Sequence, residues 1–191
     1  MEMGKRIKLF WEANNFPFVT SFNYLRFASM AEKVFDFLIP AILTGLILLM
    51  VAVIEPSTST VLKGIKDINN QSLTFISILA GFNIASVSVL ATAGSSLLKK
   101  LKDTESKTLK GKTLYEIMMT FFCAAVVSQF LIILIGVIIL VLSSLVNLPA
   151  NFNISYLWFL IAIWVYSLLL TIFISLRNLK ILFFIMVNEE Y

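Results

Sequence analysis

The chain contains no histidine and one cysteine, Cys123, which sits inside an apolar run. A disulfide framework within one chain is therefore excluded, and so is a zinc site of familiar spacing. Charge is scarce as well. Only 14% of the 191 residues are charged, against about a quarter in an ordinary soluble domain, while 59% are hydrophobic and the mean hydropathy is +0.94. The apolar residues fall in long runs rather than in the half-buried periodicity of a water-soluble core, so lipid is the expected solvent and one membrane domain the expected organisation. Enzymatic signatures are missing too. No nucleophile has a base beside it, no carboxylates are paired, and no phosphate loop or metal cluster can be assembled, so an enzyme is not expected and no cofactor is implied. Cys123, with no histidine to activate it, reads as a small apolar core residue.

What is present divides into four long apolar stretches. Their bounds are about 34–54, 73–98, 117–146 and 156–176, each long enough for a hydrocarbon core that takes about 20 helical residues to cross. The expected architecture is an all-α membrane protein with four transmembrane helices in a domain spanning 34–176. Residues 1–33 interleave Phe10, Trp11, Phe16, Phe18, Phe22, Tyr24 and Phe27 with basic and amide side chains, and Pro17 splits the segment in two. That composition suits an amphipathic segment at the headgroup boundary, or else a packed cytoplasmic cap. Lys5, Arg6 and Lys8 are followed by no clean apolar core or cleavage site, so the segment does not read as a signal peptide.

Within the first span, Pro40 is placed to kink the helix. Asp36 lies one turn from Lys33, and a local ion pair between them is the expected role, with a buried functional carboxylate as the alternative. Residues 57–71 are polar and turn-rich and read as a connection. After the fourth span the apolar pattern resumes at 181–187, making residues 177–191 a cytoplasmic tail that either continues the helix or lies on the membrane. The third span is longer than a minimal crossing, which requires tilt or extension beyond the bilayer. Residues 147–155 form a tight external turn. The Asn-x-Ser sequences at Asn70 and Asn153 are short enough to arise by chance.

Orientation follows from the basic residues. Four spans place thirteen of the fifteen Lys and Arg on one side and two on the other, and the positive-inside rule makes the crowded side cytoplasmic, N-in and C-in. Lys99, Lys100, Lys102, Lys107, Lys110 and Lys112 occupy the basic middle loop, 99–112. They set topology, and they also offer contact with anionic headgroups or with a cytoplasmic protein partner.

The second span is the least apolar. Ser77, Gly81 and Ala85 recur at intervals of four and form a small face on one side of the helix, with Asn83 and Gln129 of the third span able to hydrogen-bond between helices. That face serves packing within the bundle, packing between copies in a homo-oligomer, or the lining of a solute or ion path. Proton-coupled pumping is not supported, because Asp36 and Glu116 lie near span boundaries and mid-membrane carries no ionisable pair.

The second span, Leu73 to Ala91, reads LTFISILAGFNIASVSVLA. With the aromatic N-terminal arm and the lysine-rich central loop, it resembles the KwaA family, the membrane subunits of the two-component Kiwa antiviral systems of bacteria. The resemblance lies in size, span count and texture over most of the chain. It implies a multi-pass protein of the bacterial inner membrane that senses phage attack, assembles as a homo-oligomer such as a tetramer, and recruits a cytoplasmic DNA-binding partner, KwaB, without itself binding nucleic acid. The competing expectation is a holin-like or ion-conducting oligomer.

Overall fold

The computed structural model describes residues 2–54, 57–92, 96–106, 108–145 and 154–187. Lys107, most of the expected external turn and the last four residues lie outside this set. In chain order the elements are α1 (Glu2–Asn14), α2 (Phe16–Phe27), α3 (Met30–Lys33), a π-helical turn (Val34–Leu38), α4 (Ile39–Ile54), α5 (Thr58–Thr92), α6 (Ser96–Asp103), α7 (Leu114–Leu145) and α8 (Ile154–Val187). Four helical stretches among the described residues are long and apolar enough to cross a membrane: Met30–Ile54, Ser59–Thr92, Leu114–Leu145 and Tyr156–Ile185. The protein is thus an all-helical, four-span membrane protein, and the only β pairing among the described residues is an isolated antiparallel bridge between Glu105 and Thr113.

The first span begins where Ser29 caps α3. The Ser29 hydroxyl accepts from Glu32 N–H while the Glu32 carboxylate accepts from Ser29 N–H, a reciprocal capping box. Pro40 follows eleven residues after Ser29. Its ring cannot donate to the preceding turn and crowds the carbonyl there, and the backbone widens into the π register over Val34–Leu38 just upstream. This turn swings Asp36 into the bundle.

The third span, α7, is central. It packs on α5, α8, α2 and α6, while α4 packs chiefly on α8. Its buried positions include Met118, Phe122, Ala125, Gln129, Ile132 and Gly136, alternating steps of four and three that keep one seam turned to its neighbours. Gly136 marks the closest approach. A Cβ there would lie 2.6 Å from the Leu73 side chain, 3.1 Å from Trp164 and 3.2 Å from Asn69 Oδ1, so only glycine admits α5 and α8 at this level without rearrangement.

Several boundaries differ from the expectation. The polar stretch 58–71 is not a connection but the first four turns of a single 35-residue helix, α5, capped by Ser57, which accepts from Thr60 N–H at 3.3 Å. Of the expected second span, α5 is described as far as Thr92, and residues 93–95 lie outside the described residues. Leu98 belongs to α6, a short amphipathic helix that buries Leu98 against Met118, Phe122 and Ile185 and turns its lysines outward. The fourth span continues unbroken through 177–187, which resolves the tail into a helical extension over its described part. The N-terminal arm is two helices whose roles diverge. One face of α2 is buried on α7 through Thr20 and Tyr24, whereas the described side chains of α1 are exposed.

The arm, α6, the start of α7 and the end of α8 all meet at one end of the bundle, in two adjoining clusters around Tyr24, Phe121 and Ile174 and around Leu98, Phe122 and Ile185. We call this the lysine end.

Candidate functional site

At the lysine end three sequence-distant side chains converge. Asp36, from the π turn, is fully buried, and its Oδ2 accepts both from the Arg177 guanidinium of α8 and from the Tyr24 hydroxyl of α2, each at 2.5 Å. Arg177 is 7% exposed. Its guanidinium carbon lies 4.3 Å from the Phe121 ring centre and 5.1 Å from that of Tyr24, so the cation rests on the negative faces of two aromatic rings. Burial, and the carboxylate beside it, raise the Tyr24 phenol above its ordinary range, so it stays protonated and donates. The node joins the arm, the first span and the fourth span, with a ring of the third span as its floor. It also corrects the reading of Asp36: the partner is Arg177, 141 residues away, not Lys33. The π turn is the reason, because it rotates the carboxylate away from the exposed side of the helix.

A second polar centre lies deeper. Asn83 and Gln129 are both fully buried. Asn83 Nδ2 donates to Gln129 Oε1 at 3.2 Å and to Ser175 Oγ at 3.0 Å, and Gln129 Nε2 donates to Ser175 Oγ at 2.8 Å. Three spans are thereby pinned at one level. Two side-chain amides extend the pattern, Asn69 donating to the Gly136 carbonyl at 3.0 Å and Asn178 to that of Phe121 at 3.2 Å. In hydrocarbon an unpaired polar group is costly, and each of these bonds from an amide nitrogen fixes a helix pair in register.

The remaining expected site residues separate from this centre. Ser77, Gly81 and Ala85 lie on the opposite, outward pole of α5. The same pole carries Asn70, Thr74, Ser88 and Thr92, all exposed, so a polar and small-residue strip runs the length of the span. Thr74, Ser77, Ser88 and Thr92 donate to carbonyls one turn back on their own helix, at 2.8 to 3.3 Å. Nothing lies within 4 Å of a Cβ built on Gly81. The strip thus faces away from the fold that Asn83 and Gln129 hold together.

Of the loop lysines, Lys99, Lys100 and Lys102 line the outer side of α6, and Lys102 Nζ stands 4.8 Å from the Tyr115 ring centre. Lys110 is exposed in the turn before Gly111, whose φ of +73° suits glycine. Lys112 lies 3.6 Å from Glu116, and Lys107 falls outside the described residues. Arg177 and Tyr24 are the residues that pattern reasoning missed. The available signal was that the innermost charges of spans one and four, one acidic and one basic, lie toward the same end.

Comparison of the chain with family models, with characterised proteins and with solved structures gave no match.

Proposed function

We propose that this chain is a non-enzymatic inner-membrane subunit of a bacterial anti-phage system. It senses a disturbance at the membrane, self-associates, and relays the event to a cytoplasmic DNA-binding effector, as its resemblance to the KwaA family implies. The observation that carries the reading is the Tyr24–Asp36–Arg177 node. An ionisable pair buried in a membrane bundle is costly and is kept for a role. This one joins the arm to two spans, so an event that displaces the arm changes how those spans pack. A stimulus acts through it by favouring one packing over the other.

Self-association fits the outward pole of α5. Small and self-satisfied side chains allow close approach of a second helix, and in lipid they gain nothing from facing acyl chains. The positive-inside rule would put the lysine end, with Lys99, Lys100 and Lys102 outward, where a cytoplasmic partner could dock. The deciding experiment uses Gly81→Leu in cells that carry the chain and its partner. Because the position is open in the monomer, the variant should fold and insert, yet lose both its cross-linked oligomer and protection against phage. Unaltered oligomer size and unaltered protection would sink the reading.

The hydroxyl strip also favours a second reading, a water-filled path between copies of α5. Purified protein in liposomes separates the two: a pore releases ions or dye without a partner, whereas a sensing subunit leaves the vesicles sealed.

A further inference from the structure

The arm presents more apolar surface than it buries. On α2 the face turned from α7 exposes Phe18, Val19, Phe22 and Leu25, and on α1 both Phe10 and Trp11 are exposed, with Trp11 stacked on Phe18 at 5.4 Å. Lys5, Arg6, Lys8 and Arg26 lie among these rings, all exposed. Depth supplies the missing constraint. Asp36 and Arg177 are the innermost charges of spans one and four, with Glu32, Lys33 and Lys180 farther out toward the lysine end and only uncharged residues beyond them to Ile54 and back to Tyr156, and Tyr24 bonds directly to Asp36. The α2 helix therefore lies at the level where charge begins, which is the edge of the hydrocarbon. The lengths agree, since 32-residue α7 spans about 48 Å against about 30 Å of hydrocarbon, and α2 packs near its protruding start, at Phe121, Ala124 and Ala125. At that depth an outward row of aromatic and aliphatic side chains meets lipid, and the basic residues beside it meet phosphate.

We infer that the outer face of α1 and α2 is a binding surface for an anionic leaflet, with Trp11, Phe18 and Phe22 at the headgroup boundary and Lys5, Lys8 and Arg26 on lipid phosphates. Its occupancy holds Tyr24 on the Asp36–Arg177 pair. The inference names what the proposed sensor reads, and it rests on the sensing reading only for that last, signalling step. Loss of anionic lipid or thinning of the leaflet around the arm loosens α2, and with it the joint between spans one and four.

The test uses the full chain in nanodiscs of phosphatidylcholine alone and of phosphatidylcholine mixed with phosphatidylglycerol. Amide exchange over residues 2–27 should slow in the mixed discs, and the triple variant K5Q/K8Q/R26Q should abolish most of that gain, raising exchange by at least about tenfold. Brominated phosphatidylcholine should quench the Trp11 emission, read as the difference between the wild type and Trp11→Phe, more strongly when the bromines sit near the headgroup than at the chain ends. Tyr24→Phe should speed exchange at Val34–Leu38 in both lipids while leaving the quenching in place, which separates lipid contact from the joint. Arm exchange indifferent to phosphatidylglycerol and to the triple variant, or Trp11 emission untouched by bromine, would overturn the lipid surface even if phage protection persisted. Lipid-dependent exchange with phage protection intact in K5Q/K8Q/R26Q would keep the surface and remove the sensing step.

Discussion

At the scale of single residues, the buried Asp36–Arg177 pair is a sensitive point. Removing one partner leaves the other charge uncompensated, so Arg177→Ala should cost about 3–5 kcal/mol, read as a lowered denaturant midpoint in detergent micelles. Replacing both, Asp36→Leu with Arg177→Leu, should restore most of that stability, because well-packed apolar side chains often match a buried ion pair. The double variant then tests the proposed function, since a stable protein that no longer protects against phage would separate the joint's proposed role in sensing from its role in folding. The glycines make a second contrast. Gly136→Leu forces a side chain into the contact with Leu73 and Trp164 and should destabilise the monomer by about 1–3 kcal/mol, whereas Gly81→Leu should leave monomer stability unchanged. The two measured side by side in micelles distinguish an intramolecular close approach from a face left for a neighbour. None of these partners could be read from the chain alone. A lone carboxylate suggests the nearest base, Lys33, and only the π turn reveals that it points elsewhere.

At the scale of elements, the long apolar runs were legible because hydrocarbon imposes length and composition on anything that crosses it. The ends were less legible. Residues 57–71 lack apolar periodicity, yet they propagate as helix because Ser57 caps them and Val61 and Asn69 are buried against the bundle. The start of α7 is set by a second reciprocal box, in which Thr113 Oγ1 accepts from Glu116 N–H at 3.2 Å and Glu116 accepts from Thr113 N–H at 3.0 Å. Thr113→Ala should cost about 1 kcal/mol and fray the first turn of α7, visible as faster amide exchange at Leu114–Ile117. The small-residue pattern in α5 was legible as a face, but not which way it turned: Asn83 lies between Gly81 and Ala85 in sequence and on the other side of the helix in space.

For the whole molecule, the described structure gathers the arm, the basic helix α6, the start of α7 and the end of α8 at one end. Charge asymmetry of this kind sets insertion. Alanine replacement of Lys99, Lys100, Lys102, Lys107, Lys110 and Lys112 together should produce a mixture of orientations, scored with reporter fusions to the middle loop and the C-terminus; a uniform orientation would show that the arm's four basic residues, with Lys33 at the start of the first span, suffice.

The same charge pair constrains how the protein is made. Asp36 leaves the ribosome 141 residues before Arg177, so the first span must insert with its carboxylate unmatched, and the arm has no completed seat until the last span is in the membrane. The joint that ties the arm to the first and fourth spans therefore closes only once the last span is in place, and a chain cut short before that span keeps an unmatched carboxylate in its first span.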